Sequence, residues 1–319
     1  MLQLSQHNVT VVTYKLYRQL NMTIKDNRSN KSNLSLHGKN VLITGGNKGL
    51  GYQSALELTS KGAKVIITCR DIESGLSAKK KIIAKVPFAD IVVIPLDLTD
   101  IESLNHFSET IRCKVESLDI LICNAGVVNL DSRQLTKSGE EMHMATNHFG
   151  HFALTGLLLP LLTLSENSRV VVVSSLAYKS GVINFDDINW DNREYNTFKC
   201  YGDSKLANLL FVKHLNEFLK IKGVSTIAVS AHPGLTATER QQTIGIGGKL
   251  AKWLASPIEK GVKPQLLAAI DPNAKPNDFY GPRYGLVGKP VKLKLNRLDT
   301  QEAIKLWELS EKKTGITFK

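Results

Sequence analysis

The stretch TGGNKGLG, residues 44–51, places four glycines within eight positions. It follows the apolar run NVLIT at residues 40–44, which is typical of a strand. It precedes a segment with the composition of a helix, YQSALELTSKGA at residues 52–63. Glycine costs backbone entropy on folding, so a cluster of four indicates a turn whose backbone must stay uncovered by side chains. The sequence therefore predicts a strand, a tight turn and a helix, with the backbone of the turn kept accessible.

The composition is that of a globular protein, with 319 residues of which 42% are apolar and 22% charged. Its cysteines form no CxxC pair, which indicates a reducing compartment and argues against a disulfide framework or a zinc site; they are Cys69, Cys113, Cys123 and Cys200. The longest apolar run, residues 152–164, is shorter than the roughly 18 residues of a transmembrane helix and predicts a buried helix. His148 and His151 have no Cys or carboxylate cluster beside them, so we expect no bound metal. The reducing compartment that the cysteines indicate fits a cytoplasmic protein.

The net charge of +12 is unevenly distributed. Residues 1–38 hold five basic residues against one acid, and the acid-free stretch RYGLVGKPVKLKLNR at residues 283–297 holds five more. Neither contains the interleaved aromatic residues of a nucleic-acid module, so a solvated basic face is favoured over nucleic acid. Residues 1–38 predict a disordered or targeting leader; organellar targeting, a floppy extension and a start at Met22 stay open. Peripheral membrane association is kept as a further alternative.

A regular alternation of strand-like and helix-like segments begins at residue 39. The strand-like runs are residues 40–44, 64–69, 91–96, 118–123, 169–174 and 225–231. The helix-like segments between them are residues 50–61, 73–86, 101–115, 134–164 and 202–222. Continuous runs of Val, Ile and Leu indicate strands buried on both faces of a parallel sheet. We therefore predict an α/β fold, a single doubly wound Rossmann-type domain over residues 39–319 with a parallel sheet flanked by helices.

The C-terminal segment DTQEAIKLWELSEKKTG, residues 299–315, predicts a helical extension of this domain. Asp299 and Glu302 have the spacing of a capping box, and Gly315 is placed to end the helix.

Within such a fold, glycines after the first strand allow a dinucleotide to bind. They let the backbone turn tightly and approach a diphosphate, while N–H groups at the start of the next helix face the phosphates. The spacing is Thr44-Gly45-x-x-x-Gly49-x-Gly51, with Gly46 in addition, and differs from the common G-x-G-x-x-G. Glycine-rich turns occur in many α/β connections, so this motif indicates a function only together with others.

Five further motifs follow along the chain. They are Asn124-Ala125-Gly126, Asn147 in TNHFGHF, Ser174-Ser175, Tyr201-Gly202-Asp203-Ser204-Lys205 and His232-Pro233-Gly234. Together with the glycine turn, over residues 39 to about 285, they resemble the short-chain dehydrogenase/reductase family. NHFGHFALT, VVSSLAY, YGDSKLANLLF and HPGLTATE are most similar to the branch of the retinol dehydrogenases, the WW-domain-containing oxidoreductase and protochlorophyllide-reductase-like proteins. The resemblance implies hydride transfer between a nicotinamide cofactor and a carbonyl/alcohol pair.

The Tyr-x-x-x-Lys and serine motifs fit the chemistry of such a transfer. A carbonyl that receives hydride develops alkoxide charge and needs a proton donor within hydrogen-bond reach. Tyr201 is the predicted acid/base, because the charge of Lys205, one helical turn later on the same face, favours the ionised phenol; Lys205 would also hold the nicotinamide ribose. By the resemblance, Ser175 would bind the substrate carbonyl, with Ser174 as the neighbouring alternative. The resemblance also implies that Asn147 holds a water that passes protons towards Lys205.

Cofactor specificity is normally decided at the end of the second strand, here Thr68-Cys69-Arg70-Asp71. Arg70, and Lys48 inside the glycine turn, favour the 2′-phosphate of NADP. Asp71 would compete for a ribose hydroxyl, and NAD is the less favoured cofactor. The resemblance implies that Asp97 contacts the adenine and that Thr238 lies near the nicotinamide. The full set of implied cofactor residues is Thr44, Gly45, Asn47, Lys48, Gly49, Leu50, Gly51, Arg70, Asp97, Leu98, Asn124, Ala125, Gly126, Tyr201, Lys205, Pro233, Gly234 and Thr238.

Two variable segments bear on the substrate. Ser175 and Tyr201 lie 26 residues apart because GVINFDDINWDNREYNTFKC, residues 181–200, is inserted between them. The insertion would either wall a substrate pocket or pack on the surface with its aromatic residues, which are Phe185, Trp190, Tyr195 and Phe198. The segment ERQQTIGIGGKLAKWLASPIEKG, residues 239–261, is predicted to cover the substrate, and its apolar content favours an apolar substrate.

The sequence as a whole predicts an NADP-dependent oxidoreductase that transfers hydride between the nicotinamide and a carbonyl or alcohol of the retinoid, steroid or aldehyde type. Its partner is a small molecule rather than nucleic acid, and the oligomeric state stays open. The alternative is a catalytically idle NADP-binding protein that serves as a sensor or scaffold on the same fold. The intact set of Asn147, Ser175, Tyr201 and Lys205 favours the enzyme.

Overall fold

A central sheet of eight strands organises the computed structural model, which describes residues 35–236, 256–295 and 298–319. The strands are β1 Asn40–Thr44, β2 Lys64–Cys69, β3 Asp90–Pro95, β4 Ile120–Cys123, β5 Arg169–Val173, β6 Ile227–Ala231, β7 Phe279–Pro282 and β8 Pro290–Leu293. Their order in the sheet is β3-β2-β1-β4-β5-β6-β7-β8. The helices are α1 Gly49–Ser60, α2 Ile72–Lys85, α3 Ile101–Arg112, α4 Met142–Met144, α5 Gly150–Thr163, α6 Thr197–Lys222, α7 Ile258–Gly261, α8 Lys263–Ile270 and α9 Thr300–Thr314.

All neighbouring strands run parallel except β7 and β8, which pair antiparallel at one edge. The predicted doubly wound α/β fold is confirmed, and β1 to β6 lie within two residues of their predicted bounds. The prediction missed β7 and β8. Gly281 and Pro282 lie at the end of β7, beyond its pairing with β6, and Pro290 begins the edge strand β8. Glycine and proline are typical of turns but are tolerated at such positions.

The sheet is buried on both faces, as its continuous apolar strands predict. Leu42 packs in one core cluster with Ile66 and Leu121, whereas Val41 and Ile43 on the same strand face a second cluster. All five side chains are fully buried. Each such side chain contributes about 1.5–3 kcal/mol on burial, so the two clusters hold the strands in a fixed register and align their carboxyl ends.

The helix predicted over residues 134–164 starts later and is interrupted. It begins only with α4, because the carboxylate of Glu141 caps this helix by accepting the N–H of Met144 at 2.9 Å. A π-helical turn, Ala145–Phe149, then joins α4 to α5. Such turns are often found at functional sites, and this one carries Asn147.

The helix α6 carries the Tyr-x-x-x-Lys motif near its N-terminus. It starts five residues before the predicted position 202, because Asn196 caps it by accepting the N–H of Lys199 at 3.0 Å. Tyr201 and Lys205 are therefore held within regular helix, one turn apart on the same face.

The two ends of the chain differ in what the structure describes. The predicted leader, residues 1–38, lies almost wholly outside the described residues; of its last part, Leu36 is buried and its N–H donates to the carbonyl of Lys61 at 2.9 Å. The predicted C-terminal helix is α9, capped by the carboxylate of Asp299 and ended by Gly315 at a φ of 69°. Within the described ranges, none of the helices combines the length and apolarity needed to cross a bilayer.

The helix α9 and the C-terminal tail pack on α5 and α6 through aromatic rings. The ring centroid of Phe152 lies 5.0 Å from that of Trp307 and 4.9 Å from that of Phe318. Phe211 on α6 lies 5.6 Å from Phe152. The C-terminal extension is thus part of the main core rather than an appendage.

We expect Phe152→Ala to lower the free energy of unfolding by about 3–5 kcal/mol, because it removes a fully buried ring and leaves a cavity among three other rings. Urea unfolding followed by circular dichroism measures the change. Phe88, which is 70% exposed, supplies the control, and Phe88→Ala should change the value by no more than about 0.5 kcal/mol. Equal effects of the two substitutions would contradict the buried position of Phe152.

Candidate active site

Two cavities with shared walls open at the carboxyl ends of the parallel strands. The larger, called the main cavity, has a volume of about 770 Å³. The predicted residues on its wall are Gly45, Asn47, Lys48, Gly49, Leu50, Gly51, Asn124, Ala125, Gly126, Ser175, Tyr201, Lys205, Pro233 and Gly234. The smaller, called the side cavity, has a volume of about 270 Å³ and adds Arg70, Asp97 and Leu98. The predicted Thr238 lies outside the described residues.

The glycine turn forms one end of the main cavity. A Cβ atom at Gly51 would lie 2.3 Å from the carbonyl oxygen of Gly45 and 2.6 Å from the amide nitrogen of Asn124, so a side chain does not fit there. Gly49 adopts a φ of 57°, in the left-handed region that glycine occupies without strain. The turn therefore leaves its own backbone and the N-terminus of α1 open towards the cavity, which is the arrangement that a diphosphate needs.

Thr44 lies behind the cavity walls rather than on them. Its Oγ1 accepts the N–H groups of Asn124 and Ala125 at 2.9 Å each, so it ties the glycine turn to the end of β4. The same oxygen lies 2.8 Å from Nε2 of His151. The carbonyl of Asn147 can only accept, so Nδ1 of His151, 3.0 Å away, carries the proton and Nε2 accepts from the Thr44 hydroxyl.

Asn147 is fully buried on the π-helical turn. Its Oδ1 accepts the N–H of Val127 at 2.7 Å, and its Nδ2 donates to Oγ of Ser204 at 2.9 Å and to the carbonyl of Val127 at 3.1 Å. The side chain thus joins the end of β4 to α6 beside Gly126. Its predicted role in holding a water stays a prediction.

Tyr201 and Lys205 project from α6 into the main cavity. Nζ of Lys205 lies 5.4 Å from the ring centroid of Tyr201 and donates to the carbonyl of Val173 at 3.1 Å. Because Lys205 is only 5% exposed, its positive charge acts on Tyr201 with little screening by water.

The structure distinguishes the two neighbouring serines at the end of β5. Oγ of Ser174 donates to the carbonyl of Lys205 at 2.8 Å and is buried between strand and helix. Oγ of Ser175 accepts the N–H of Ala177 at 3.3 Å, so its hydroxyl proton remains for another acceptor. Ser175, the predicted substrate contact, is thereby the serine that can donate into the main cavity.

The side cavity contains the two predicted cations, Lys48 and Arg70. No ion pair joins either of them to a carboxylate in the part of the chain that the structure describes. Asp71 caps α2, and its two carboxylate oxygens accept the N–H groups of Glu73 at 3.1 Å and Ser74 at 3.2 Å. The cations are therefore more available to a ligand than Asp71 is.

The insertion at residues 181–200 contributes less to the cavity than its aromatic content suggests. Among its four aromatic residues only Phe198 lines the main cavity, and it is 60% exposed. Trp190 is buried, with the guanidinium of Arg193 3.6 Å from its ring centroid. Phe198 therefore lines the cavity and Trp190 packs against Arg193, while a contact of the insertion with a substrate stays a prediction. Of the predicted cover, residues 239–255 lie outside the described ranges.

Sequence reasoning missed several apolar residues of the main cavity, namely Val127, Val128, Leu176 and Leu286, whereas Ile258, which also lines it, lies in the segment predicted to cover the substrate. Val127 and Val128 directly follow the Asn-Ala-Gly motif, so their position after β4 was a usable signal. Leu286 belongs to the β7–β8 connection, and since these strands were not predicted, nothing in the sequence pattern placed it near the site.

Comparisons with known proteins show the family to which the chain belongs. A family model described as short chain dehydrogenase matches residues 39–247. Human retinol dehydrogenase 13 is 42% identical over 217 residues, which cover 68% of this chain and 65% of that protein, just under two thirds. Mouse retinol dehydrogenase 14 is 37% identical over 299 residues, which cover 88% of this chain and 87% of that protein. A solved structure of an uncharacterized protein from Mycobacterium paratuberculosis is 36% identical with a TM-score of 0.76, covering 89% of this chain and 96% of that one.

The chain belongs to the short-chain dehydrogenase family, in the branch of the retinol dehydrogenases. The predicted family and Rossmann-type fold are confirmed, and with them the class of NAD(P)-dependent oxidoreductases that act on alcohol and carbonyl groups.

Two buried histidines beside the site predict acid sensitivity. Burial lowers the pKa of His151 to about 4 and that of His148 to about 3. An unfolded histidine binds its proton near pH 6.5. Between about pH 6.5 and 4 the unfolded state therefore binds more protons than the folded state, and the free energy of unfolding decreases as the pH is lowered. The loss at pH 5 is about 2 kcal/mol per histidine. Burial raises the pKa of Asp203 to about 6, so this carboxyl stabilises the folded state as the pH is lowered. It is a single group, however, and opposes two histidines.

The urea midpoint should therefore drop between pH 7 and pH 5, and His151→Gln should reduce that drop. His106→Gln, at an exposed position, is the control and should leave the pH dependence unchanged. An identical pH dependence of wild type and His151→Gln would contradict the neutral, buried state of His151.

Proposed function

We propose that this protein is an NADP-dependent oxidoreductase that interconverts an apolar alcohol and its carbonyl compound, with Tyr201 as the acid/base. The observation that carries the proposal is the meeting of Ser175, Tyr201 and Lys205 at one cavity whose other end is the glycine turn. Family membership supports the same reaction class.

The residues of the chain divide the chemistry among them. The hydroxyls of Tyr201 and Ser175 bind the substrate oxygen, and Tyr201 donates its phenolic proton as that oxygen gains charge. Lys205, buried between Val173 and the Tyr201 ring, stabilises the phenolate that remains. In the oxidative direction the same groups remove the proton of the alcohol.

The cofactor would be held along the glycine turn and the start of α1, with its adenine end towards Asp97 and Leu98 in the side cavity. The bound cofactor supplies or accepts the hydride, which no side chain can do. Lys48 and Arg70 favour a 2′-phosphate there, and Asp71 is engaged in capping α2. These contacts support NADP rather than NAD.

The substrate is proposed to be apolar. Val127, Val128, Leu176, Phe198 and Leu286 line the main cavity around the proposed reaction centre. A volume of about 770 Å³ leaves space for a substrate as well as part of a dinucleotide. A small-molecule substrate and a cytoplasmic location remain predictions from the sequence, as does the catalytically idle alternative.

Substitution of the neighbouring serines tests the assignment of the substrate contact. Ser175→Ala is expected to lower kcat/KM by about 10²–10³, because it removes a donor to the developing oxyanion. Ser174→Ala, the matched control, should keep most activity and lower the unfolding free energy by about 1 kcal/mol, since it removes only the bond to the Lys205 carbonyl. Tyr201→Phe should lower kcat by about 10²–10⁴.

These values are measured by NADPH oxidation with a panel of retinoid, steroid and aliphatic aldehydes, alongside cofactor binding by fluorescence titration. Full activity of Tyr201→Phe would overturn the acid/base role. Cofactor binding without turnover of any substrate in the panel would favour the idle alternative.

Cofactor preference is tested by Arg70→Ala. Loss of a charge-assisted contact with a phosphate should weaken NADPH binding by roughly tenfold or more and leave NADH binding nearly unchanged. Asp71→Asn, the neighbouring control, should retain the preference for NADPH, because its side-chain oxygen can still cap α2. Tighter binding of NADH than NADPH by the wild type would refute the NADP assignment.

A further inference from the structure

A buried group of potential metal ligands lies beside Tyr201 and takes no part in the proposed reaction. Glu141, His143 and Cys200 are each 0% exposed, and one ligand atom from each lies within 4.8 Å of the others. Oη of Tyr195 lies 3.3 Å from both Oε1 of Glu141 and Nδ1 of His143. We call these four residues the ligand cluster.

We propose that the ligand cluster binds a divalent cation of the zinc class. Oε1 of Glu141 and Nδ1 of His143 are 2.8 Å apart, and each is 3.3 Å from Oη of Tyr195. Nitrogen and oxygen ligands at about 2.0–2.1 Å from a tetrahedral zinc ion lie about 3.3 Å from one another. The two contacts of Tyr195 match this spacing, and the hydrogen bond between Glu141 and His143 would lengthen by about 0.5 Å when a cation takes the place of its proton. Sγ of Cys200 supplies the remaining ligand.

The donor set selects the metal. A thiol, an imidazole and a carboxylate suit Zn²⁺ and its analogue Co²⁺, whereas Mg²⁺ and Ca²⁺ are bound by oxygen ligands. When the metal–sulfur bond forms, the proton of Cys200 leaves to solvent. The carboxylate of Glu141 and the thiolate then balance the two charges of the cation, and this pairing offsets the desolvation cost of burying it.

His143 has an unused ring nitrogen. Nδ1 contacts Glu141, but the buried Nε2 has no hydrogen-bond partner among the residues that the structure describes. This nitrogen can take up the proton that Nδ1 gives up to a metal, although the metal itself gives Nε2 no partner. If Nδ1 binds the metal, its proton moves to Nε2, and the ring is the neutral tautomer that metal binding requires.

The position of the ligand cluster gives it a route of entry and a neighbour to act on. Tyr195 is partly exposed and lies on the insertion, so movement of its ring opens the otherwise sealed group. Cys200 directly precedes Tyr201 in α6, and the rings of His143 and Tyr201 are in edge contact with centroids 6.1 Å apart. A cation here would join the start of α4 to the start of α6, next to the proposed acid/base.

The test is a titration of the purified full-length protein with Co²⁺, followed by its thiolate-to-cobalt absorption in the near ultraviolet. We expect one equivalent to bind, and Zn²⁺ to displace it. Cys200→Ala should abolish the absorption and His143→Gln should weaken binding by roughly tenfold or more. Cys113→Ala is the matched control, because Cys113 is exposed and should not contribute.

The measurement does not depend on hydride transfer, so it can fail while the proposed function stands. No thiolate absorption in the wild type would overturn the proposal, as would absorption that survives Cys200→Ala and disappears in Cys113→Ala. Circular dichroism checks that each variant is folded, and Cys200→Ser, which keeps the size of the side chain, replaces Cys200→Ala if the latter is not.

Discussion

The hydroxyl of Thr44 is the contact on which the geometry of the site depends. It accepts the N–H groups of Asn124 and Ala125, and so joins the ends of two parallel neighbours, β1 and β4. Because the glycine turn follows one strand and the Asn-Ala-Gly motif follows the other, a single buried oxygen sets the distance between two walls of the main cavity. Through His151 the same constraint reaches the carbonyl of Asn147.

The other wall of the main cavity is held by two hydrogen bonds between the end of β5 and α6. Oγ of Ser174 donates to the carbonyl of Lys205, and Nζ of Lys205 donates to the carbonyl of Val173. These bonds run in both directions between one strand end and one helix turn, so neither element can shift without breaking them. Tyr201 and Ser175 therefore reach the same cavity from different elements, which is the preorganisation that the proposed proton transfer requires.

Much of the fold followed from patterns that are local in the sequence. Six strands could be predicted because burial on both faces of a sheet demands uninterrupted apolar residues, and the short length of these runs separates them from the longer apolar run of the buried helix α5. The strands β7 and β8 could not, since the unpaired end of β7 and the edge strand β8 tolerate the prolines and glycines that elsewhere indicate a turn. Helix starts were misplaced where a side-chain cap decides the boundary, as with Glu141 and Asn196.

In the candidate site too, some features followed from local sequence patterns and others depended on tertiary packing. Spacing within one helix placed Tyr201 and Lys205 together, but the preference for Ser175 over Ser174 depends on which hydroxyl the packing of α6 consumes. The engagement of Asp71 in capping α2 likewise appears only once the helix begins there.

The sequence by itself indicated the family, through motifs that resemble it, and the order of β1 to β6 with the helices between them. It also indicated that Tyr201 and Lys205 lie together. These features depend on short motifs, on hydrophobic periodicity and on the spacing within one helix. The tertiary structure alone decided that Thr44 supports the site from behind rather than lining it. It also brought Glu141 and His143 to Cys200. These residues are far apart in the chain and meet only when α4 and α6 pack together. Local sequence patterns do not predict which helices pack together.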